Sequence, residues 1–363
     1  MKACSYCGRH NADDRTSCDG CGTEEFRTPE LPEQLSSDQF LVEPEPLEGS
    51  AIDPKYSVVK GLSHPDWQAL ERQINQHLPR ERRNQAWRLI NRQWLTQLRN
   101  ELGGAYCCAE SRHFFLFAEG NNEERQRILN YLEKVYYEIR TRLGPLTRPC
   151  TREKVILLVF ADEDDGMAFN SHHAIGESQE LDSNSFILEG YPLMILTGRP
   201  PRLKEMEYTL VYNLCANSMN NPTAPVWLTK GMTEYLARRI LGNWRRPIID
   251  WDSVEAHQAW WNQSRIQAFW SGLGFHDPDF DHELNHHLAQ ILVELLAEQW
   301  DYLLEFAGRA DWSDSGQSAA YAVLNRSLGD VAAEFLGPGD WHPNRATIHQ
   351  IHQDRFELEK ADP

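Results

Sequence analysis

Apolar residues recur with helical or strand spacing over most of the chain, and this pattern predicts its elements. Helical spacing predicts helices at 65–78, 80–101, 122–144, 203–219 and 226–241. Short apolar runs predict strands at 110–118, 155–161 and 191–198. The helix at 203–219 is apolar around much of its circumference, so we expect it to be buried. Together the elements predict an α+β fold with a small mixed sheet, flanking helices and a helical C-terminal half.

The helix predicted at 80–101 combines six Arg with an apolar face. That face comprises Trp87, Ile90, Trp94 and Leu98. Mixed Arg and Trp could indicate a nucleic-acid surface. The helical period of the apolar positions instead favours a packing helix with a solvated basic face.

Changes in composition along the chain suggest its domain organisation. Residues 28–62 are rich in Pro, Glu and Ser and show little periodicity, which is typical of a linker. We therefore predict the following order: a cysteine-containing segment at 1–27, a linker at 28–62, a helical segment at 63–104, a main domain at 105–340 and a tail at 341–363.

Composition and charge restrict the function classes. The chain has 363 residues, 41% of them hydrophobic, which can build a sizeable core. Its formal net charge of -18 disfavours broad binding to nucleic acid or to anionic membranes. No apolar run approaches the roughly 20 residues that a membrane helix needs. The N-terminus also lacks the apolar region of a secretory signal, so we expect a cytoplasmic protein.

The N-terminal cysteines form two CxxC knuckles, Cys4 with Cys7 and Cys18 with Cys21. Four thiolates at this spacing can hold one zinc ion tetrahedrally. Two disulfides are the alternative, and a reducing compartment argues against them. The segment resembles the short zinc ribbons at the N-termini of many prokaryotic proteins. The resemblance implies one structural zinc per chain, without an open position for water.

The order of elements from 105 onward, and one motif within it, resemble the gluzincin metallopeptidases, specifically the compact bacterial peptidase-MA-like domain. In that family a central helix carries H-E-x-x-H, and the next helix begins W-L-x-E-G-x-A-E-Y with the third zinc ligand as its first Glu. The segment VWLTKGMTEYLA matches the second motif at these positions: Trp227, Leu228, Gly231, Glu234 and Tyr235. The resemblance implies a zincin-like fold.

The positions that the resemblance assigns to the zinc site carry other residues. The two histidines fall on Tyr212 and Ala216, the catalytic Glu on Asn213, and the third ligand on Lys230. These side chains cannot supply two imidazoles and a carboxylate to a metal. The resemblance therefore implies a pseudo-peptidase that binds a protein or peptide, or serves as a scaffold. We expect an extended peptide to add to an edge strand formed by YPLMILTG at 191–198.

Lys230 and Glu234 are separated by four residues on the predicted helix at 226–241, so they share a face. We hypothesise that the Lys230 ammonium replaces the charge of the lost metal and is held by Glu234. A solvated Lys at the start of a helix is the alternative.

A literal H-E-x-x-H stands at 282–286, and Glu305 follows at a spacing known for the third ligand of gluzincins. Residues 281–308 keep helical period without Gly or Pro before Gly308, so we predict one long helix. In a straight helix His286 and Glu305 would be roughly 28 Å apart at about 1.5 Å per residue. His282 and His286 also fall opposite the apolar stripe, where we expect solvent. We interpret the motif as an accident.

Two alternatives stay open. An active zinc metallohydrolase would use His282, Glu283 and His286 with a further ligand. A nucleic-acid-associated module would bind through the zinc ribbon or the Arg-rich helix. Other candidate chemistry is sparse: we expect Cys215 to be buried and inert, we expect His172 and His173 to lie in a surface loop, and no Ser-His-Asp set is legible.

Overall fold

The computed structural model shows an α+β protein that is mostly helical. It describes residues 2–3, 10–12, 52, 54–103, 105–147, 154–162, 164–166, 169, 185–187, 193–197, 203–242, 251–277 and 279–361. The chain divides into two compact units. The first comprises Met1–Tyr137 with Cys150–Leu210, and the second Glu138–Pro149 with Val211–Pro363. No helix in the described ranges is long and apolar enough to cross a membrane.

Two short antiparallel hairpins begin the first unit. The first pairs β1 (Lys2–Ala3) with β2 (His10–Asn11), and the second pairs β3 (Tyr56–Val59) with β4 (Leu62–Pro65). Lys60 and Gly61 both have positive φ, 50° and 86°, a conformation that matches the twist of a two-residue hairpin turn. The hairpin of β3 and β4 therefore begins inside the range predicted to be a linker, 28–62.

The two predicted helices that follow are confirmed as α1 (Trp67–His77) and α2 (Arg80–Leu102). The side chain of Asp66 caps α1 by accepting the Ala69 N–H at 2.9 Å. The apolar face predicted for α2 is buried against the sheet, in one cluster with Phe115, Phe117 and Leu158.

A five-stranded sheet forms the centre of the first unit. Its strands are β5 (Cys107–Glu110), β6 (Phe114–Ala118), β7 (Val155–Phe160), β8 (Ser185–Ile187) and β9 (Leu193–Thr197). They lie in the order β5-β6-β7-β9-β8. The inner strands β6, β7 and β9 run parallel, whereas β5 and β8 are antiparallel to their neighbours. Helix α3 (Asn122–Leu143) follows β6, close to its predicted bounds.

The single strand predicted at 110–118 is wrong, because a tight turn divides this range between β5 and β6. The Glu133 carboxylate on α3 binds the turn: it accepts the Ser111 hydroxyl and the His113 N–H, each at 2.7 Å. The ring Nδ1 of His113 lies 2.7 Å from the same carboxylate. These bonds come from a helix elsewhere in the chain, so the local apolar pattern could not show them.

The peptide-binding edge predicted at YPLMILTG is also wrong. Strand β9 lies inside the sheet, paired with β7 on one side and β8 on the other. Among the described strands, the one at the edge beyond β9 is β8, a three-residue strand outside the predicted range.

Glu110 on β5 is the centre of a buried ion cluster. Its carboxylate contacts the Nε of Arg88 at 2.8 Å, the Nε of Arg92 at 3.0 Å and the ammonium of Lys154. Burial raises the pKa of Glu110, but Lys154 and Arg92 outweigh this and hold it below its usual range. The basic face of α2 is therefore only partly solvated, since two of its Arg bind a buried carboxylate.

The described part of the second unit is helical. Its helices are α4 (Leu203–Ser218, from Val211 onward), α5 (Val226–Ile240), α6 (Trp251–Trp260), α7 (Gln263–Ser271), α8 (His282–Leu296), α9 (Trp300–Arg309), α10 (Leu328–Leu336) and α11 (Arg345–Ala361). Predicted and observed bounds agree closely for α4 and α5. The C-terminal tail predicted at 341–363 is wrong, because this range contains the whole of α11, where Ile348 is fully buried.

Candidate functional site

The residues aligned with the zinc site of the resembling family lie on α4 and α5. On α4, Tyr212 and Ala216 are half-buried and Asn213 is buried with 4% of its surface exposed. The Asn213 side-chain nitrogen has no hydrogen-bond partner within the described ranges. These three side chains offer no imidazole or carboxylate to a metal, which agrees with the chemistry read from the sequence.

Trp227, the first residue of the matching motif, anchors α5 in the core. Its indole N–H donates to the Ser315 carbonyl at 3.1 Å, and its ring meets Trp270 edge-on at 5.5 Å. The side chain is fully buried. A Trp at the start of this helix is therefore explained by packing and hydrogen bonding alone.

Gly231 brings the backbone of α5 against α8. A Cβ at this position would lie 2.3 Å from the Ala289 carbonyl oxygen and 2.8 Å from Val293. Only glycine fits such an approach without moving one of the helices. The glycine of the motif thus has a structural reason that does not involve a metal.

Lys230 comes just before Gly231 in the chain, and its positive charge acts on His286 in the first turns of α8. Burial, and then the Lys230 ammonium, lower the pKa of His286 to about 4. His282 and His276 lower it further. The position aligned with the third zinc ligand therefore adds positive charge beside the second His of the HELNH segment, which is unfavourable for a cation there.

The prediction that His282 and His286 face solvent is wrong. Both are half-buried, and the His286 ring lies edge-on to Phe275 at 5.3 Å. The side of α8 opposite the predicted stripe is covered as well: α5 packs on Ala289 and Val293 at Gly231, and Phe275 lies against His286. Helical periodicity alone cannot show what a neighbouring loop covers.

The single helix predicted at 281–308 is wrong as well. Residues 297–299 form a 3-10 turn, and Gln299 leaves helical geometry with φ −122° and ψ 77°. Trp300 explains the break: its ring stacks on Tyr235 at 5.4 Å, and its N–H donates to the Arg142 carbonyl at 3.1 Å. These tertiary contacts override the local helical pattern.

Because of this turn, the distance expected for a straight helix no longer separates His286 from Glu305. Glu305 nevertheless has another partner. Its carboxylate contacts Arg309 at 2.6 Å, one helical turn later, and its side chain is 48% exposed. Within the ranges that the structure describes, no group of three or more His, Cys, Asp or Glu is arranged to hold a metal. The accidental origin of HELNH stays a prediction.

Glu234 and Cys215 lie close enough to interact. Burial raises the pKa of the Cys215 thiol, and the negative charge of Glu234 raises it further. Cys215 is fully buried, as predicted, and a protonated thiol is a poor nucleophile. The pairing of Lys230 with Glu234 stays a prediction.

The zinc-ribbon prediction falls on residues that the structure does not describe. Cys4, Cys7, Cys18 and Cys21 lie outside the described residues, as do His172 and His173. The described strands β1 and β2 precede and follow the first knuckle in the chain, and they pair with each other.

The structure also contains a buried histidine pair that the sequence pattern does not predict. His257 on α6 is 1% exposed, accepts the Trp261 indole N–H at Nδ1 (2.7 Å), and places Nε2 3.0 Å from Nδ1 of His287. Burial, and then His287, lower the pKa of His257 to about 4. The spacing of His257 and Trp261 is a weak helical signal, whereas His287 enters only through the packing of α8.

No family model matches the chain, and no curated protein matches it. Any assignment of function to this chain therefore depends on the geometry described above.

Proposed function

We propose that this protein is a catalytically inactive relative of the gluzincin metallopeptidases, acting as a protein- or peptide-binding or scaffold module with a structural zinc ribbon. One observation supports the proposal: Lys230, which the resemblance aligns with the third zinc ligand, brings positive charge to His286. A metal would have to bind beside a fixed cation and without the two aligned imidazoles. The buried Trp227 and the close approach at Gly231 support the helix arrangement that the resemblance implies.

The proposed zinc belongs to the N-terminal ribbon. Four Cys thiolates complete a tetrahedron, so this ion would stabilise the fold of the ribbon and leave no position for a reacting water. Reduced thiols imply a reducing compartment such as the cytoplasm.

Elemental analysis of the full-length chain, purified without chelators, tests the location of the metal. We expect about one zinc per chain, lost when Cys18 and Cys21 are both replaced by Ser. The matched control, His282→Ala with His286→Ala, should keep its zinc. Zinc that survives the Cys changes and disappears in the His variant would favour the active metallohydrolase, and peptidase activity abolished by Glu283→Gln would then establish it.

The binding role has a separate test at the edge strand β8. An extended peptide that adds to β8 must exchange main-chain hydrogen bonds with it. We expect a fluorescent mixture of extended peptides to bind the full-length chain, and the same mixture with N-methylated backbones to bind at least tenfold more weakly, a factor worth about 1.4 kcal/mol. Equal binding of the two mixtures would contradict strand addition.

A further inference from the structure

A buried guanidinium lies at the start of α3. Only 4% of the Arg125 surface is exposed. One terminal nitrogen donates to the Gly120 carbonyl, while Nε is buried and has no hydrogen-bond partner in the described part of the chain. Among the described residues, no Asp or Glu forms an ion pair with it. Arginine stays protonated even when it is buried, and a buried charge without an opposite charge is costly.

The groups near Arg125 do not neutralise it. Burial raises the pKa of the Cys108 thiol to about 12, although Arg99 and then Arg125 lower it in part. The thiol is therefore uncharged at neutral pH and cannot serve as the counter-ion. Arg99 adds a second positive charge that acts on the same thiol, so this part of the first unit favours an anion.

The backbone at the start of α3 adds further hydrogen-bond donors. Asn121 caps the helix: its side chain accepts the Glu124 N–H at 2.9 Å, and the Glu124 carboxylate accepts the Asn121 N–H at 3.2 Å. The N–H groups of Asn122 and Glu123 have no partner within the ranges that the structure describes. First-turn N–H groups point out of a helix at its positive end, where anions bind.

The guanidinium and these N–H groups face the same end of α3. Side chains of a helix lean toward its N-terminus, and the bond to Gly120 places the Arg125 guanidinium just ahead of the cap. Residues 120–124 are exposed. Solvent ions therefore meet the start of the helix directly, and the short loop at Gly120 is what separates them from the guanidinium.

The place of this cluster in the fold is one where oxyanions bind. Strands β6 and β7 run parallel, and α3 follows the carboxyl end of β6 after the loop at 119–121. Ligands of open sheets bind outside the carboxyl ends of parallel strands, and phosphate groups bind at the N-terminus of the helix that follows.

We propose that Arg125 and the first turn of α3 bind a small free oxyanion of the size of inorganic phosphate. Nε and the second terminal nitrogen of Arg125 form a planar fork that matches two oxyanion oxygens, and the N–H groups of Asn122 and Glu123 donate to the others. A free ion suits the site because the 4% exposure of Arg125 leaves little room for the organic part of a phosphate ester. The site uses none of the residues of the metallopeptidase resemblance.

Nearby carboxylates weaken the binding without filling the site. Glu123 contacts the exposed Arg127 at 2.5 Å. Burial raises the pKa of Tyr106, and the charge of Glu119 raises it further, so this carboxylate lies near the Tyr106 hydroxyl. Because like charges repel, Glu119→Gln should tighten phosphate binding while leaving Arg125 in place.

Thermal unfolding of the full-length chain at constant ionic strength, followed by circular dichroism, tests the site. For a dissociation constant of about 1 mM, exchange of chloride for about 10 mM phosphate should raise the midpoint by roughly 3–6 °C. Arg125→Met should abolish this rise. The matched control, Arg127→Met, removes an exposed positive charge from the same end of α3 and should keep it. An equal rise in Arg125→Met, or no rise in the wild type, would overturn the proposal.

Two further variants keep the test decisive where Arg125→Met does not fold. Arg125→Lys keeps the charge and loses the fork, so phosphate affinity measured by isothermal titration calorimetry should fall at least about tenfold. Glu119→Gln should bind phosphate more tightly than the wild type. Unchanged affinity in both variants would show that Arg125 only fastens the loop at Gly120.

Discussion

The buried His257 should make the second unit sensitive to acid. Its ring is 1% exposed, and its pKa falls from the ordinary 6.5 to about 4. The folded protein therefore keeps this ring neutral, whereas the unfolded chain protonates it below pH 6.5. The unfolded state binds more protons between these values, so stability is complete above pH 6.5 and is lost as the pH falls toward 4.

The geometry explains the cost of protonation. Nδ1 of His257 accepts the Trp261 N–H, so a proton placed there would break this bond and bring two donors together. Burial and His287 oppose the charge, while Asp281 offsets only part of it. One pKa unit corresponds to about 1.4 kcal/mol, so the fall to about 4 corresponds to roughly 3 kcal/mol of stability.

Urea denaturation at a series of pH values, followed by circular dichroism, measures this contribution. Between pH 7 and pH 4 the free energy of unfolding should fall by roughly 3 kcal/mol more in the wild type than in His257→Gln. The matched control is His77→Gln, which removes an exposed histidine at the end of α1 instead of a buried one. Equal slopes for the wild type and His257→Gln would refute the reasoning, as would an NMR titration of His257 near pH 6.5.

Three further changes test other contacts. Glu110→Gln leaves a buried lysine ammonium without its carboxylate and should lower the free energy of unfolding by about 3–5 kcal/mol, measured by urea denaturation; a loss under 1 kcal/mol would contradict the ion cluster. Gly231→Ala forces a methyl group against the Ala289 carbonyl and should cost at least about 1–3 kcal/mol, with unchanged stability as the contradictory result. Lys230→Met should raise the pKa of His286 in an NMR titration, because it removes a nearby positive charge. An unchanged pKa would show that the charge of Lys230 does not act on His286.

Local patterns predicted the long elements well. The helices α3, α4 and α5 end within a residue or so of their predicted bounds, because each has a continuous apolar period and a clear stop. The strand β7 follows from its apolar run in the same way. The failures lie where a distant side chain decides the local structure: Glu133 binds the turn after β5, and Trp300 ends the helix that HELNH begins.

The candidate sites were less predictable, because they depend on distance across the fold. The sequence aligned Lys230 with a ligand position of the resembling family, but it could not show that the charge of Lys230 reaches His286. His257 and His287 are thirty residues apart, a spacing with no helical or strand period. Only the packing of α6 near α8 brings their rings together.

The close approach at Gly231 has a consequence for how such motifs are interpreted. The Trp, the Gly and the Tyr of the segment at 227–235 all serve the crossing of α5 with its neighbours: Trp227 and Tyr235 through ring contacts, and Gly231 through the backbone. Helix packing explains the residue types at these three positions, whereas the side chains between them would determine whether a metal can bind. Helix packing alone can therefore produce the outline of a metallopeptidase motif, and a match at these three positions carries no information about catalysis.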